Sequence, residues 1–195
     1  HVEQCFGITK AYTTRVGNGP FPSELSLEGG AGMHMAKIGN EFGTTTGRPR
    51  RTGWLDIVAL KESNRLNGYT GLVLTKLDVL GGLDEIKICI GYEMEGRLLQ
   101  IMPTTSKELA KCEPIYETHQ GFEAMTESEW IKMANESRNN NIGFAALNED
   151  MLNYVRRIEK LAGIPIVSIG VGPDRDASIA SVNGPFDISN NKEMF

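Results

Sequence analysis

The sequence predicts an α/β fold in which part of a mostly parallel sheet is flanked by helices and carries an antiparallel hairpin. Three observations lead there. Residues 69–75 form a β-rich run with almost no charge, as expected of a strand buried on both faces of a parallel sheet. Residues 148–169 read as a capped amphipathic helix and then a short apolar strand, with Gly170-Val171-Gly172-Pro173 behind it, the helix, strand and glycine-turn order of α/β architecture. Ile86, Ile88 and Ile90 alternate with Lys87 and Cys89, and a turn at residues 93–96 leads to an apolar run at 98–102, which together predict a hairpin at a sheet edge.

The elements follow in chain order. A short strand is expected over residues 9–15. Residues 17–32, with Gly17, Gly19, Pro20, Pro22, Gly29, Gly30 and Gly32, predict surface loop and turn. After a further loop at residues 43–51, Thr52 is suited to cap a helix whose apolar positions Trp54, Leu55, Val58 and Ala59 recur at helical spacing and which Asn67-Gly68 ends. On that reading the loop feeds straight into a helix N-terminus. Residues 107–138 are mixed and polar and receive no element or function, and Arg138-Asn139-Asn140-Asn141 has the composition of a surface turn. Asn148 then caps a helix with Met151, Leu152, Val155, Ile158 and Leu161 on one face, stopped by Gly163 and Pro165.

With 195 residues, 40% of them hydrophobic, the chain can bury a sizeable core and reads as one domain or part of one. A formal net charge of -5 argues against a general nucleic-acid or membrane-surface binder, so any recognition of phosphate must be local. No apolar run approaches the length needed to span a bilayer and residues 1–10 do not resemble a signal peptide, which makes the cytosol the expected compartment. Cys5, Cys89 and Cys112 lie too far apart in sequence for a CxxC metal or redox site and are expected to be reduced, structural thiols. The chain opens at His1 in mid-pattern, with apolar Val2, Cys5, Phe6 and Ile8, and this start predicts a fragment.

Residues 43–51 concentrate the chemistry. Gly43 and Gly47 let the backbone approach a ligand, Thr44, Thr45 and Thr46 offer hydroxyl donors, and Arg48, Arg50 and Arg51 can grip carboxylate or phosphate with two parallel hydrogen bonds. A helix N-terminus just behind would favour the same anions. An exposed basic loop that only solubilises the surface is the plainer alternative, but Trp54 and Leu55 nearby draw the segment toward a core. Chemistry alone leaves phosphate, carboxylate and bare solvent open for these side chains.

Thr75-Lys76-Leu77-Asp78 resembles the guanine-reading element of GTP-binding proteins, in which a carboxylate accepts from both N1–H and the exocyclic amine while the lysine stem covers the base. Adenine lacks that pair of donors, so a buried carboxylate penalises it. Taken alone, the same four residues are also an ordinary strand-to-turn boundary. Residues 170–172 likewise read either as a backbone shelf for a base or ribose or as a tight turn that needs glycine. His34 and His119 have no acid or nucleophile at a spacing that builds a triad or metal site, and both read as non-catalytic.

Taken in order, AYTTRVGNGPFPSE, GNEFGTTTGRPRRTGWLD, LTKLDVL, CEPIYET and GPDR resemble the adenylosuccinate synthetase family, and the likeness runs from about residue 7 to residue 187. It implies an adenylosuccinate synthetase-like fold related to the P-loop nucleoside triphosphatases. The implied reaction is GTP-dependent ligation of IMP and L-aspartate to adenylosuccinate in purine (AMP) biosynthesis, assisted by magnesium (Mg2+). The resemblance assigns Thr44, Thr45, Thr46, Gly47, Arg48, Pro49 and Arg50 to a loop over aspartate. It assigns Val16, Gly17 and Arg48 to IMP, and Arg50, Lys76, Leu77, Asp78, Gly170, Val171 and Gly172 to GTP. Gly170 and Val171 stand where some family members carry hydroxyl residues, so contact there is expected through the backbone.

The family's glycine-rich phosphate loop, catalytic Asp and catalytic His have no counterpart in the 195 residues. The resemblance therefore implies the C-terminal portion, residues 1–195, of a single synthetase domain that holds guanine and aspartate sites, has no catalytic residue or metal ligand of its own, and is inactive alone. The whole enzyme is implied to be a cytoplasmic homodimer without nucleic-acid or membrane partners. A non-catalytic guanine-nucleotide binding module is the alternative.

Overall fold

The computed structural model describes residues 3–43, 45 and 47–187. Along the chain run β1 (Phe6–Lys10), β2 (Thr13–Arg15), α1 (Gly30–Ile38), β3 (Arg51–Gly53), β4 (Leu55–Asp56), α2 (Ile57–Asn67), β5 (Gly71–Thr75), β6 (Glu85–Met94), β7 (Arg97–Leu99), α3 (Ser106–Leu109), β8 (Glu113–Gln120), α4 (Glu127–Asn139), α5 (Glu149–Ala162), β9 (Ile166–Gly170) and β10 (Ser178–Ala180). Short 3-10 turns occupy Asp78–Leu80 and Gly143–Ala146. Chain packing divides the molecule into one unit of His1–Ala11, Gly68–Asp84 and Gly121–Phe195, and another of Tyr12–Asn67 and Glu85–Gln120.

The first unit is built on a four-stranded sheet in the order β1, β5, β9, β10. β1, β5 and β9 are parallel and β10 closes one edge antiparallel. The uncharged run of residues 69–75 is thereby explained: β5 is paired on both sides, and Leu72 and Leu74 are fully buried. α5 buries Met151, Tyr154, Val155 and Ile158 along one stripe. Asn148 Oδ1 accepts from the Met151 N–H at 2.9 Å, and Gly163 ends the helix in the left-handed conformation (φ 70°) with its N–H on the Glu159 carbonyl. Tyr154 donates its hydroxyl to the Ala11 carbonyl at 2.7 Å, and the Ile166 N–H donates to Glu159 Oε1 at 2.8 Å, so the helix is tied to the end of β1 and the start of β9.

The second unit is mostly antiparallel. β6 is the hub, parallel to β4 and antiparallel to β7 and β8, and β2 and β3 form a separate two-stranded ladder. Below β6 lies a small core of Val58, Cys89, Tyr92, Leu109 and Cys112.

The structure corrects several expectations. The single strand over residues 9–15 is two strands, broken at Ala11 and Tyr12, which are buried in different units. Thr52 does not cap a helix: it lies in β3 with its hydroxyl donated to the Gly32 carbonyl, and α2 begins only after β4, where Asp56 Oδ1 accepts from the Ala59 N–H. The loop at residues 43–51 therefore leads into two short strands, with Leu55 buried in β4 and Trp54 buried between β3 and β4.

The alternation in β6 slips as well. The ladder shifts register at Ile90, so Cys89 and Tyr92 join Ile86 and Ile88 inside. The hairpin turn is the dipeptide Glu95-Gly96, so β6 runs two residues further than expected and β7 starts one residue earlier, at Arg97. α1 begins inside the stretch read as loop, at Gly30, and residues 107–138 contain β8 and most of α3 and α4. β9 starts at Ile166 and ends at Gly170.

Candidate functional site

The candidate residues gather in two places, one in each unit. In the first unit the adjacent parallel strands β5 and β9 end side by side, and the Leu77 N–H donates to the Gly170 carbonyl at 3.2 Å. Lys76 carries the chain out of β5 with φ 60°, a left-handed conformation that costs a non-glycine residue about 1 kcal/mol. That reversal drops Leu77 into the core, fully buried, and starts the 3-10 turn that presents Asp78.

Asp78 Oδ1 is buried and accepts no hydrogen bond among the described residues. Burial pushes the Asp78 carboxyl above its ordinary value, against the opposing pull of its own backbone N–H and the Lys76 charge. Opposite it, the Val171 N–H is already committed to the Ala177 carbonyl at 2.9 Å, and the Gly170 carbonyl to Leu77. Gly172 ends the turn, and a Cβ there would stand 3.0 Å from that of Ala177.

In the second unit Arg15, Val16, Gly17, Asn18, Gly43, Arg48, Pro49, Arg50 and Arg51 line one cleft of about 630 Å³. Val16, Gly17, Arg48, Pro49 and Arg50, distant in sequence, are brought together here. Thr45, Gly47 and Arg48 are exposed, while Thr44 and Thr46 lie outside the described residues. The base of the loop is a short ladder: the Gly43 N–H donates to the Arg48 carbonyl at 2.8 Å, Phe42 bridges Pro49, and the Arg50 N–H donates to the Glu41 carbonyl at 2.7 Å.

Sequence reading missed what holds the arginines. Arg50 Nη1 donates to Oε2 of Glu41 at 2.9 Å, a carboxylate with a fully buried side chain whose other oxygen accepts from the Tyr12 hydroxyl at 2.6 Å. Arg51 is occupied with structure: it forks onto Glu24 at 2.6 and 2.5 Å and caps the carbonyls of Gly17 (2.9 Å) and Gly19 (2.7 Å). Its hydrogen bonds, and then its charge, hold the Glu24 carboxyl below the usual range. Arg15 caps the next carbonyl, Pro20, at 3.0 Å. The signal in the sequence was the surplus of acids near the arginines, Glu24 and Glu41, but only the fold says which acid meets which base.

The geometry defines an α/β protein with a buried carboxylate and a glycine turn at the carboxyl ends of two parallel strands, and an arginine-lined cleft on a second unit. The profile of the family "Adenylosuccinate synthetase" matches residues 1–179. The chain belongs to the adenylosuccinate synthetase family. It is 46% identical over 190 residues to the adenylosuccinate synthetase of Paraburkholderia phytofirmans, covering 93% of this chain and 39% of that protein. To adenylosuccinate synthetase 1 of Cupriavidus pinatubonensis it is 49% identical over 179 residues, covering 89% and 37%. Among solved structures, a fully ligated adenylosuccinate synthetase from Plasmodium falciparum superposes with a TM-score of 0.77 at 38% identity, over 90% of this chain and 39% of that one. The chain thus spans about 39% of the length of the curated relatives it matches.

Proposed function

We infer that this chain is the C-terminal portion of one adenylosuccinate synthetase domain, serving the GTP-dependent ligation of IMP and L-aspartate to adenylosuccinate in purine biosynthesis. The reaction is a C–N ligation, and this portion contributes the guanine and aspartate sites without turning over alone. The observation that carries the reading is Asp78: a carboxylate oxygen buried without a partner at a strand end is costly in a folded protein unless a ligand supplies the donors. Guanine supplies two, N1–H and the exocyclic amine, and on this reading the Lys76 stem and the turn of Gly170, Val171 and Gly172 take the faces and edge of the base.

In the cleft, Arg48 and Arg50 suit the carboxylates of aspartate and the phosphates of nucleotide, with Thr44, Thr45, Thr46, Gly47 and Pro49 completing the aspartate loop and Val16 and Gly17 meeting IMP through the backbone. Among the described residues no three His, Cys, Asp or Glu side chains gather as a metal site, and the magnesium of the whole enzyme is proposed to be held outside this portion. No described helix is long and apolar enough to cross a membrane. A cytoplasmic homodimer is the proposed state of the whole enzyme.

Calorimetric titration tests the guanine site. The chain is expected to bind GTP, and Asp78→Asn to weaken GTP at least about tenfold while improving xanthosine triphosphate, whose ring offers an acceptor where guanine offers the amine. An unchanged preference between the two nucleotides in Asp78→Asn defeats the reading. Supplying IMP, aspartate, GTP and magnesium should give no adenylosuccinate from this chain, and turnover would show that it needs no further portion.

A further inference from the structure

Glu41 is more confined than its neighbours on the cleft. Its N–H donates to the Ala36 carbonyl at 2.9 Å, which fixes its backbone to the end of α1. Its side chain is fully buried, and the Tyr12 hydroxyl and the Arg50 guanidinium each take one oxygen. The Arg50 side chain is 35% exposed, so the pair has one partner inside and one on the wall of the cleft.

We propose that Glu41 is a positioning residue that holds one edge of the Arg50 guanidinium so that its remaining N–H groups are presented to an anionic ligand in the cleft. The proposal rests on the reading above that Arg50 meets such a ligand. A guanidinium that swung away would leave a buried carboxylate without its cation, which a low-dielectric interior opposes. Arg50 is thereby denied the rotamers that a solvent-exposed arginine samples, and binding need not order it. The same ion pair staples the stem of the loop next to the main-chain bonds from Arg50 to Glu41 and from Gly43 to Arg48, so the anion-binding group and the loop base move as one piece.

The guanidinium itself reports the answer by NMR without any ligand. In the wild-type chain, restricted rotation about the Arg50 Nε–Cζ bond, seen as distinct Nη environments, is expected, and free averaging would overturn the proposal whether or not any variant folds. In Glu41→Gln the Arg50 Nε–Hε signal should move and exchange with water about tenfold faster, and an unchanged signal counts against the latch. GTP titration separates the two readings. If wild type binds GTP and Glu41→Gln binds it with the same Kd, the positioning role is wrong and the guanine reading stands. A wild type that binds no GTP defeats the functional reading and leaves the wild-type Arg50 spectrum to decide the latch.

Discussion

Asp56 shows how one side chain joins three elements of the second unit. It closes β4, caps α2 through the Ala59 N–H, accepts the Tyr92 hydroxyl from β6 at 2.6 Å, and its own N–H donates to Thr13 Oγ1 of β2 at 3.1 Å. Burial raises its pKa, and the hydrogen bonds from Tyr92 and the helix N-terminus partly restore the charged form. Tyr92→Phe should therefore cost about 1–3 kcal/mol near neutral pH by leaving a buried carboxylate oxygen unpaired. A carboxyl raised in the folded state disfavours folding once ionised, so this contribution is relieved as pH falls through the raised pKa toward the ordinary aspartate range. Urea denaturation of both proteins at several pH values should show their difference narrowing toward acid. A difference that stays constant with pH would mean that Asp56 is neutral throughout, and one that widens toward acid would contradict the assignment.

Asp78 carries a second pH dependence at the same scale. Its pKa is also raised by burial, and only the ionised carboxylate accepts from two donors of guanine. On the proposed guanine reading, GTP affinity should fall as pH drops through the raised pKa, and the slope should vanish in Asp78→Asn. Calorimetry at several pH values gives the measurement, and an equal slope in both proteins would place the titrating group elsewhere.

Among elements, the loop at residues 16–20 depends on side chains, because Arg51 and Arg15 take the carbonyls of Gly17, Gly19 and Pro20. Arg51→Ala should speed hydrogen exchange at Val16, Gly17 and Asn18 while lowering global stability by only about 0–1 kcal/mol, since the Arg51 and Glu24 pair is partly exposed. Protection that stays unchanged would mean that the loop holds itself. α5 offers the opposite case, an element stabilised by local rules. A Cβ at Gly163 would touch nothing within 4 Å, so Gly163→Ala isolates the left-handed φ of 70° and should cost about 1 kcal/mol in thermal denaturation.

That contrast explains what was legible. α5 carries its cap, its stripe and its stop within sixteen residues, and the structure agrees on the cap at Asn148, the stop at Gly163 and the buried Met151, Val155 and Ile158, while Tyr154 and Ala162 fill the buried face and Leu152 and Leu161 are only partly covered. α4 was equally marked by the capping box of Thr126 and Glu129 ahead of Trp130, a pattern overlooked in a polar segment. α2 misled because Trp54 and Leu55 are apolar for the sake of sheet packing, and two buried residues before a helix look like its first turn. β8 hid because its residues are only partly buried and its partner strand lies elsewhere in sequence.

For the whole molecule, the cysteines report opening. Cys89 is buried and its thiol is pushed up to about 12, chiefly by burial and then by the Asp56 charge, and Cys112 is buried beside it, whereas Cys5 is half-buried. One thiol should react with a thiol reagent under native conditions and the other two only as the second unit unfolds. Three thiols reacting together would contradict the packing. On the proposed guanine reading, saturating GTP is a linked ligand of the whole and should add about 2.7 kcal/mol at a hundredfold excess over Kd, visible as a raised Tm.

Composition, the uncharged run at residues 69–75 and the capped stripe of α5 were enough to determine an α/β chain with a parallel sheet, because hydrophobic period and capping are local properties of a sequence. The ordered motifs likewise pointed to the family that the comparisons bear out. Only tertiary structure decided that Glu41 holds Arg50, that Arg51 serves the loop at residues 16–20, and that Asp78 Oδ1 is left buried without a partner among the described residues. Burial and pairing of charges depend on residues far apart in the chain, and no local period encodes which of them will meet.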